Sequence, residues 1–261
     1  RKPRSFMKIC LFADAQSVHI RQLSLHLAQR GHEVHVITHK PAELSGATVE
    51  RFSVPPPGLS NPRRWTGRRH RYLLDIFRKF DVVNIHFLAD WGLTELLSSR
   101  ESGGARLVAT AWGSDVIDPP GEAPATAELT IARKSLFREA DAITTCGPTF
   151  AKTVADYAGI PSNSVCVVPF GVDLSLFNLD ACKSEDSKVA RIGFFKGFRA
   201  VYDPTILVQA IPAVLAQCPH ARFEMIGDGA ELRRCQAMAQ ELGVDHAVEW
   251  VGRMDHSRLP D

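Results

Sequence analysis

The sequence predicts an α/β protein built from two doubly wound, Rossmann-like parallel-sheet domains, the second incomplete. Three observations carry this reading. Short apolar runs alternate with helix-period segments as far as residue 168, the alternation pauses over the polar stretch 174–188, and it resumes at Ala190. Strands buried on both faces of a parallel sheet read as nearly unbroken apolar runs, as in KICLFA at 8–13 and LVATA at 107–111. The expected boundaries are a first domain over 7–172, a linker over 173–188 and a second domain over 189–261.

In chain order, strand 8–13 leads through a loop into a helix that Ser17 can cap. Val18, Leu23, Leu27 and Ala28 supply part of its apolar stripe, and Gly31 ends it. A strand at 34–38 completes a βαβ unit, which implies parallel pairing and a right-handed crossover. Ala13, Asp14, Ala15 and Gln16 stand where a GxGxxG turn would place its glycines, so no dinucleotide cofactor is expected in this half. A polar-alternating strand follows at 48–54, then Pro55, Pro56, Pro57 and Gly58, a loop that no regular element crosses.

The next helix runs through Tyr72, Leu73, Leu74, Ile76 and Phe77 into strand 81–87, DVVNIHF. His86 lies at its C-terminal end, where ligands collect in open α/β sheets; a packed histidine and a binding group both fit that position. A helix at 91–99 precedes strand 107–111, which breaks into Trp112, Gly113, Ser114 and Asp115. This is either a set of polar groups at a cleft or a turn capped by Ser114 and Asp115. Helix 125–139, strand 142–145, helix 149–158 and strand 165–168 complete the first domain.

The second alternation opens with a buried strand at 190–195, closed by Lys196 and Gly197. Asp203 suits an N-cap and Pro204 the first helical position, after which Ile206, Leu207, Ala210, Ile211, Val214 and Leu215 fall on one face. A strand, a loop with Lys196 and Arg199, and a helix N-terminus make either a phosphate site or a solvated loop with two surface cations. Strand 221–226, the turn Gly227, Asp228 and Gly229, helix 231–242 and strand 248–251 follow, with Gly252 and Arg253 leaving the last strand. Three strands and two helices do not cover both faces of a sheet, so the chain is expected to be a fragment.

A net charge of +2 gives no reason to expect nucleic acid as a partner. No apolar run reaches the roughly 18 residues of a membrane span and no apolar signal opens the chain, where RKPRSF reads as a basic extension; cytoplasmic location is the expectation. Cys10, Cys146, Cys166, Cys182, Cys218 and Cys235 form no CxxC pair and read as small core residues in a reducing compartment, not metal ligands. Arg63, Arg64, Arg68, Arg69, Arg71, Arg78 and Lys79 crowd one segment with Trp65 and Tyr72 among them. That segment is a solvated helix face, or a surface for an anionic membrane or an acidic acceptor.

HIRQLSLHLAQRGHEVHVIT, DVVNIHF, LVATAWGSDV, DAITTCGPTFAKTVADYAGI with VVPFGVDLSLF, and IGDGAELRR with VEWVGRMDHSRLP occur in this order. Together they resemble the retaining glycosyltransferases of sequence family 4, which have a GT-B fold of two Rossmann-like domains. The resemblance implies transfer of a sugar from a nucleotide sugar to a glycan, a lipid carrier or a small molecule, with retention and without a bound metal. It assigns Lys196, Arg199, Gly227, Asp228, Gly229 and Arg253 to the donor, Arg199 replacing a second lysine because Val201 and Asp203 stand where that lysine belongs. On the acceptor side it assigns Asp14, Gln16, His19, His86, Trp112, Gly113, Ser114 and Asp115. Trp112 occupies a loop where many relatives carry a histidine. Lys196, Arg199 and Asp115 are the expected catalytic groups, and the leaving diphosphate itself takes the acceptor proton. Relatives continue into an ExxxxxxxE segment that holds the donor, so low or no activity is expected of these 261 residues. The competing readings are a noncatalytic acceptor- or membrane-binding module and a sugar-nucleotide epimerase or phosphorylase on the same fold.

Overall fold

A computed structural model describes residues 6–52, 62–88, 93–100, 104–121, 123–178 and 189–259. The expected loop at Pro55 to Gly58, the basic extension apart from Phe6, Cys182 and most of the expected linker lie outside them. The chain divides into two compact units, Arg1–Asp118 with Pro124–Gly171, and Pro119–Ala123 with Val172–Asp261.

Among the described residues the first unit carries seven parallel strands: β1 (Lys8–Phe12), β2 (Glu33–Thr38), β3 (Ala47–Arg51), β4 (Val82–His86), β5 (Arg106–Ala111), β6 (Ala142–Thr145) and β7 (Val165–Val167). Their order is β3-β2-β1-β4-β5-β6-β7, so the winding reverses between β1 and β4. The helices are α1 (Val18–Gln29), α2 (Pro62–Lys79), α3 (Leu93–Arg100), α4 (Ala127–Glu139) and α5 (Pro148–Ala158). Strand side chains alternate between faces. Cys10 and Phe12 therefore enter one core with residues of α2 to α5, while Ile9, Leu11 and Ala13 enter another with Ile20 of α1. This two-sided burial produces the unbroken apolar runs of the sequence.

In α1, Ile20 and Ser24 are the buried residues, and the expected Leu23, Leu27 and Ala28 pack at the margin of that core. Ser17 occupies the N-cap position, but its hydroxyl makes no cap bond. Cys10 and Cys235 are buried as expected, whereas Cys166 and Cys218 are exposed. Cys166 lies in β7, an edge strand with only its first residue buried, and Cys218 follows a helix end; an apolar neighbourhood in sequence did not place either inside.

Among the described residues the second unit has three parallel strands, β8 (Arg191–Phe195), β9 (Arg222–Ile226) and β10 (Val248–Gly252), in the order β10-β9-β8, with α6 (Pro204–Gln217) and α7 (Leu232–Glu241). The strand expected to be buried at 190–195 is instead the edge strand β8. No residue of it is fully buried, and Phe195 is 50% exposed. Length and apolarity do not distinguish an edge strand from a central one.

The buried face of α6 also differs from expectation. Pro204, Thr205, Val208 and Ile211 are inside, Leu207, Val214 and Leu215 are at the margin, and Ile206 is 62% exposed. Asp203 adopts a left-handed conformation, φ 39°, and accepts a hydrogen bond from the Thr205 hydroxyl at 2.5 Å, with no cap bond to a backbone N–H. Thr205 is thus held at the buried side of the helix entry, and Ile206 after it faces outward.

Candidate functional site

Two groups of the expected residues lie at the C-terminal ends of parallel strands, one in each unit. The first gathers where β1, β4 and β5 leave their sheet, across the reversal in strand order. Open α/β sheets hold ligands at this position. After β1, the Ala13 N–H donates to the Ile37 carbonyl at 3.0 Å and the Ala15 N–H to Thr38 Oγ1 at 3.2 Å. Asp14 accepts from the Gln16 N–H at 2.9 Å and from Lys40 Nζ at 3.1 Å. Gln16 and His19 are exposed, and the His19 ring stacks on Phe170, with centroids 4.1 Å apart at 16°.

Trp112 lies at the centre of this group. Its ring meets His19 at 5.5 Å, Phe170 at 5.2 Å, His86 at 5.9 Å and Phe87 at 6.5 Å, each edge to face. Its indole N–H donates to His86 Nδ1 at 3.3 Å. His86 is only 5% exposed, and its Nε2 is buried with no hydrogen-bond partner among the described residues. Loss of water around the ring disfavours its charged form and lowers its pKa from 6.5 to about 3. Phe87 follows with φ 53°, a conformation that is strained for a bulky side chain and that recurs at functional sites.

Asp115 was expected among the catalytic groups, and the structure gives it a different task. It is fully buried. Oδ1 accepts from the N–H groups of Gly113 at 2.8 Å and Trp112 at 3.1 Å; Oδ2 accepts from Leu88 at 3.1 Å and again from Trp112 at 3.2 Å. The carboxylate thus ties the exit of β4 to the exit of β5 and is not presented to a substrate. Of the two readings of this loop, the capped turn describes Asp115. Gly113 serves the same turn with φ 151°, and Ser114 is half-buried beside it.

The second group occupies the exits of β8, β9 and β10, three neighbouring strands. Lys196 and Arg199 follow β8, Gly227, Asp228 and Gly229 follow β9, and Arg253 follows β10. The Phe198 N–H donates to the Asp228 carbonyl at 2.9 Å, the Glu231 N–H to the Phe198 carbonyl at 3.0 Å, and the Gly227 N–H to the Gly252 carbonyl at 2.8 Å. A Cβ on Gly227, φ 140°, would overlap the Lys196 carbonyl, and one on Gly229, φ 150°, would overlap the Phe198 carbonyl. Close backbone approach is therefore the reason for both glycines, and the backbone approaching them is the chain's own Lys196 loop. Lys196, Arg199, Asp228 and Arg253 are exposed. The Lys196 ammonium lies 5.3 Å from the centroid of the Tyr202 ring, and the Asp228 carboxylate accepts from the Gly229 N–H at 2.7 Å.

Sequence reasoning missed Phe87 and Phe170. Both act through ring contacts with residues far away in the chain, and neither stands in a pattern of chemical residues. In α2, Leu73, Ile76 and Phe77 are buried while Arg71, Arg78 and Lys79 are exposed. The side chains of Arg63, Arg64, Trp65, Arg68 and Arg69 lie outside the described residues. Among the described residues no helix is long and apolar enough to cross a membrane, and no cluster of His, Cys, Asp and Glu is placed to hold a metal ion.

The sequence model of Glycosyltransferase Family 4 matches residues 16–176. No curated protein matches the chain. Among solved structures, sucrose-phosphate synthase from Thermosynechococcus elongatus superposes with a TM-score of 0.74 at 16% identity, over 97% of this chain and 72% of that one. A glycosyltransferase from Rickettsia africae gives 0.71 at 12% identity, over 98% and 70%. HepE of Anabaena, solved with UDP-glucose, gives 0.69 at 16% identity, over 95% and 70%. At such identities the likeness is one of fold, and the fold is of the GT-B type.

Proposed function

The chain belongs to glycosyltransferase family 4, and from that membership we propose that it transfers a sugar, with retention, from a nucleotide-diphosphate sugar to an acceptor hydroxyl, without a metal. The observation that carries this reading is the placement of exposed cations at two strand exits of the second unit, Lys196 and Arg199 after β8 and Arg253 after β10, the two strands that flank β9. Cations at the C-terminal edge of a parallel sheet suit a diphosphate, whose charge grows as the glycosidic bond breaks. In the reaction the bond from C1 to the leaving diphosphate breaks, the bond from C1 to the acceptor oxygen forms on the same face, and the acceptor proton passes to a diphosphate oxygen. Lys196 and Arg199 neutralise the departing group. Asp14, Gln16, His19, His86 and the Trp112 turn receive the acceptor. HepE of Anabaena has been solved with UDP and with UDP-glucose, which makes uridine nucleotides the first donors to try.

Thermal unfolding of the whole chain with UDP, GDP, ADP and UDP-glucose tests the donor reading, with Lys196→Ala as control. A rise in Tm with one nucleotide that shrinks in the variant is expected, because ligand bound to the folded form alone stabilises it. No rise with any of the four, or an equal rise in the variant, overturns the assignment of Lys196. Contact of α2 with anionic lipid belongs to the same proposal. Liposome co-sedimentation that does not weaken in Arg71→Glu removes Arg71 from it.

A further inference from the structure

We propose that Trp112 is a tautomer lock on His86, and that the locked imidazole offers its Nε2–H to an uncharged ligand oxygen, a saccharide hydroxyl. The first half stands on geometry within the first unit; the second rests on the acceptor reading given above.

An indole N–H only donates. Its bond to His86 Nδ1 at 3.3 Å therefore requires that nitrogen to be the unprotonated one. A neutral imidazole carries one proton, which is then on Nε2. Nε2 is buried and unpartnered among the described residues, and a buried donor left unpaired is costly. An oxygen arriving at Nε2 removes that cost.

The surroundings select the kind of oxygen. The ring is held neutral by burial and offers a dipole in place of a charge. Phe87, Trp112, His19 and Phe170 form an aromatic wall beside it, which suits the C–H face of a pyranose better than a hydrated anion. The Phe87 ring stands on this wall from a backbone with φ 53°.

The lock also fixes what His86 does not do. Nε2 already holds a proton and Nδ1 faces a donor, so the imidazole is not the base that takes the acceptor proton. Trp112 is the positioning residue and His86 the binding residue.

The test is long-range proton–nitrogen NMR of the whole chain labelled with nitrogen-15 histidine, with the His86 signals assigned by their loss in His86→Gln. The expected spectrum has Nδ1 unprotonated and Nε2 protonated across about pH 5 to 8. Trp112→Phe keeps the ring and removes the N–H, and a mixture of tautomers is expected. If that variant does not fold, the wild-type spectrum alone decides. A proton on Nδ1, a His86 titration with its midpoint in that range, or an unchanged tautomer in folded Trp112→Phe overturns the lock. Methyl pyranosides and inorganic phosphate are then added in turn. A pyranoside that shifts Nε2 supports the hydroxyl role; a shift with phosphate alone, or with no probe, overturns it. No nucleotide enters this measurement, so its failure is distinct from failure of the donor reading at Lys196.

Discussion

The two groups of residues occupy the same place in their sheets and are built in opposite ways. In the first unit the side chains at the exits of β4 and β5 are inside: Asp115 is fully buried, His86 is nearly so, and Trp112 is packed among four rings. In the second unit the side chains are outside, and the order lies in the backbone, where Gly227 and Gly229 let the loops after β8 and β9 touch. Buried hydrogen bonds and rings fix position at the expense of tolerance. Exposed cations on a clamped backbone fix the field at the strand exits and keep positive charge facing solvent. An acceptor that must be oriented suits the former, and a leaving diphosphate suits the latter.

The sharpest way to break this contrast is Asp115→Ala. It strips the N–H groups of Leu88, Trp112 and Gly113 of their acceptor, and a loss of about 3 kcal/mol or more is expected in chemical denaturation. A loss under about 1 kcal/mol would make the carboxylate a surface group in disguise.

Gly227→Ala attacks the backbone side of the comparison. The new Cβ meets the Lys196 carbonyl at a φ of 140°, so about 2–3 kcal/mol of stability and the nucleotide response should both go. Retained binding in calorimetry would separate the glycine from the Lys196 loop.

Acid sharpens the first unit alone. The folded pKa of His86 lies below its unfolded value, so the unfolded chain binds more protons as pH falls. The stability His86 contributes is complete above about pH 6.5 and is lost at about 1.4 kcal/mol per pH unit toward pH 3. Denaturation midpoints of wild type and His86→Gln between pH 7 and 4 should therefore converge as acid is added; parallel curves would contradict this.

The smallest effect on the fold is expected at Lys196→Ala, within about 0.5 kcal/mol, because the side chain is exposed. Its nucleotide affinity should fall about tenfold or more through loss of a charge-assisted bond. A stability loss equal to the binding loss would show that Lys196 belongs to the packed kind of site after all.

This division also explains what could be read in the sequence. The alternation of elements was legible because apolar runs such as Leu107 to Ala111 are continuous only when both sheet faces are covered. The cations after β8 were legible because exposed charge at a strand exit is a local signal. The tasks of Asp115, Trp112 and His86 were not, since they depend on pairs such as His86 with Trp112 and Asp115 with Leu88 that are remote in sequence. Gly227 and Gly229 were recognised as places of close approach, but what approached them was a tertiary matter. The edge position of β8 and the outward turn of Ile206 were hidden for the same reason. Apolar content says that a residue can be buried, and neighbours decide whether it is.

The place of β1 inside its sheet, between β2 and β4, bears on how the protein is made. During synthesis β1 can pair with β2 and β3 as soon as they appear, giving a half-sheet whose β1 flank stays open. The strand that closes it, β4, pairs Ile9 with Val82 and Phe12 with Ile85 only after the whole of α2 has been translated. His86 is the last residue of that strand. The nascent chain therefore installs it in the same step that covers the open flank of β1, and a ribosome paused before β4 would display that flank without His86 at the reversal point.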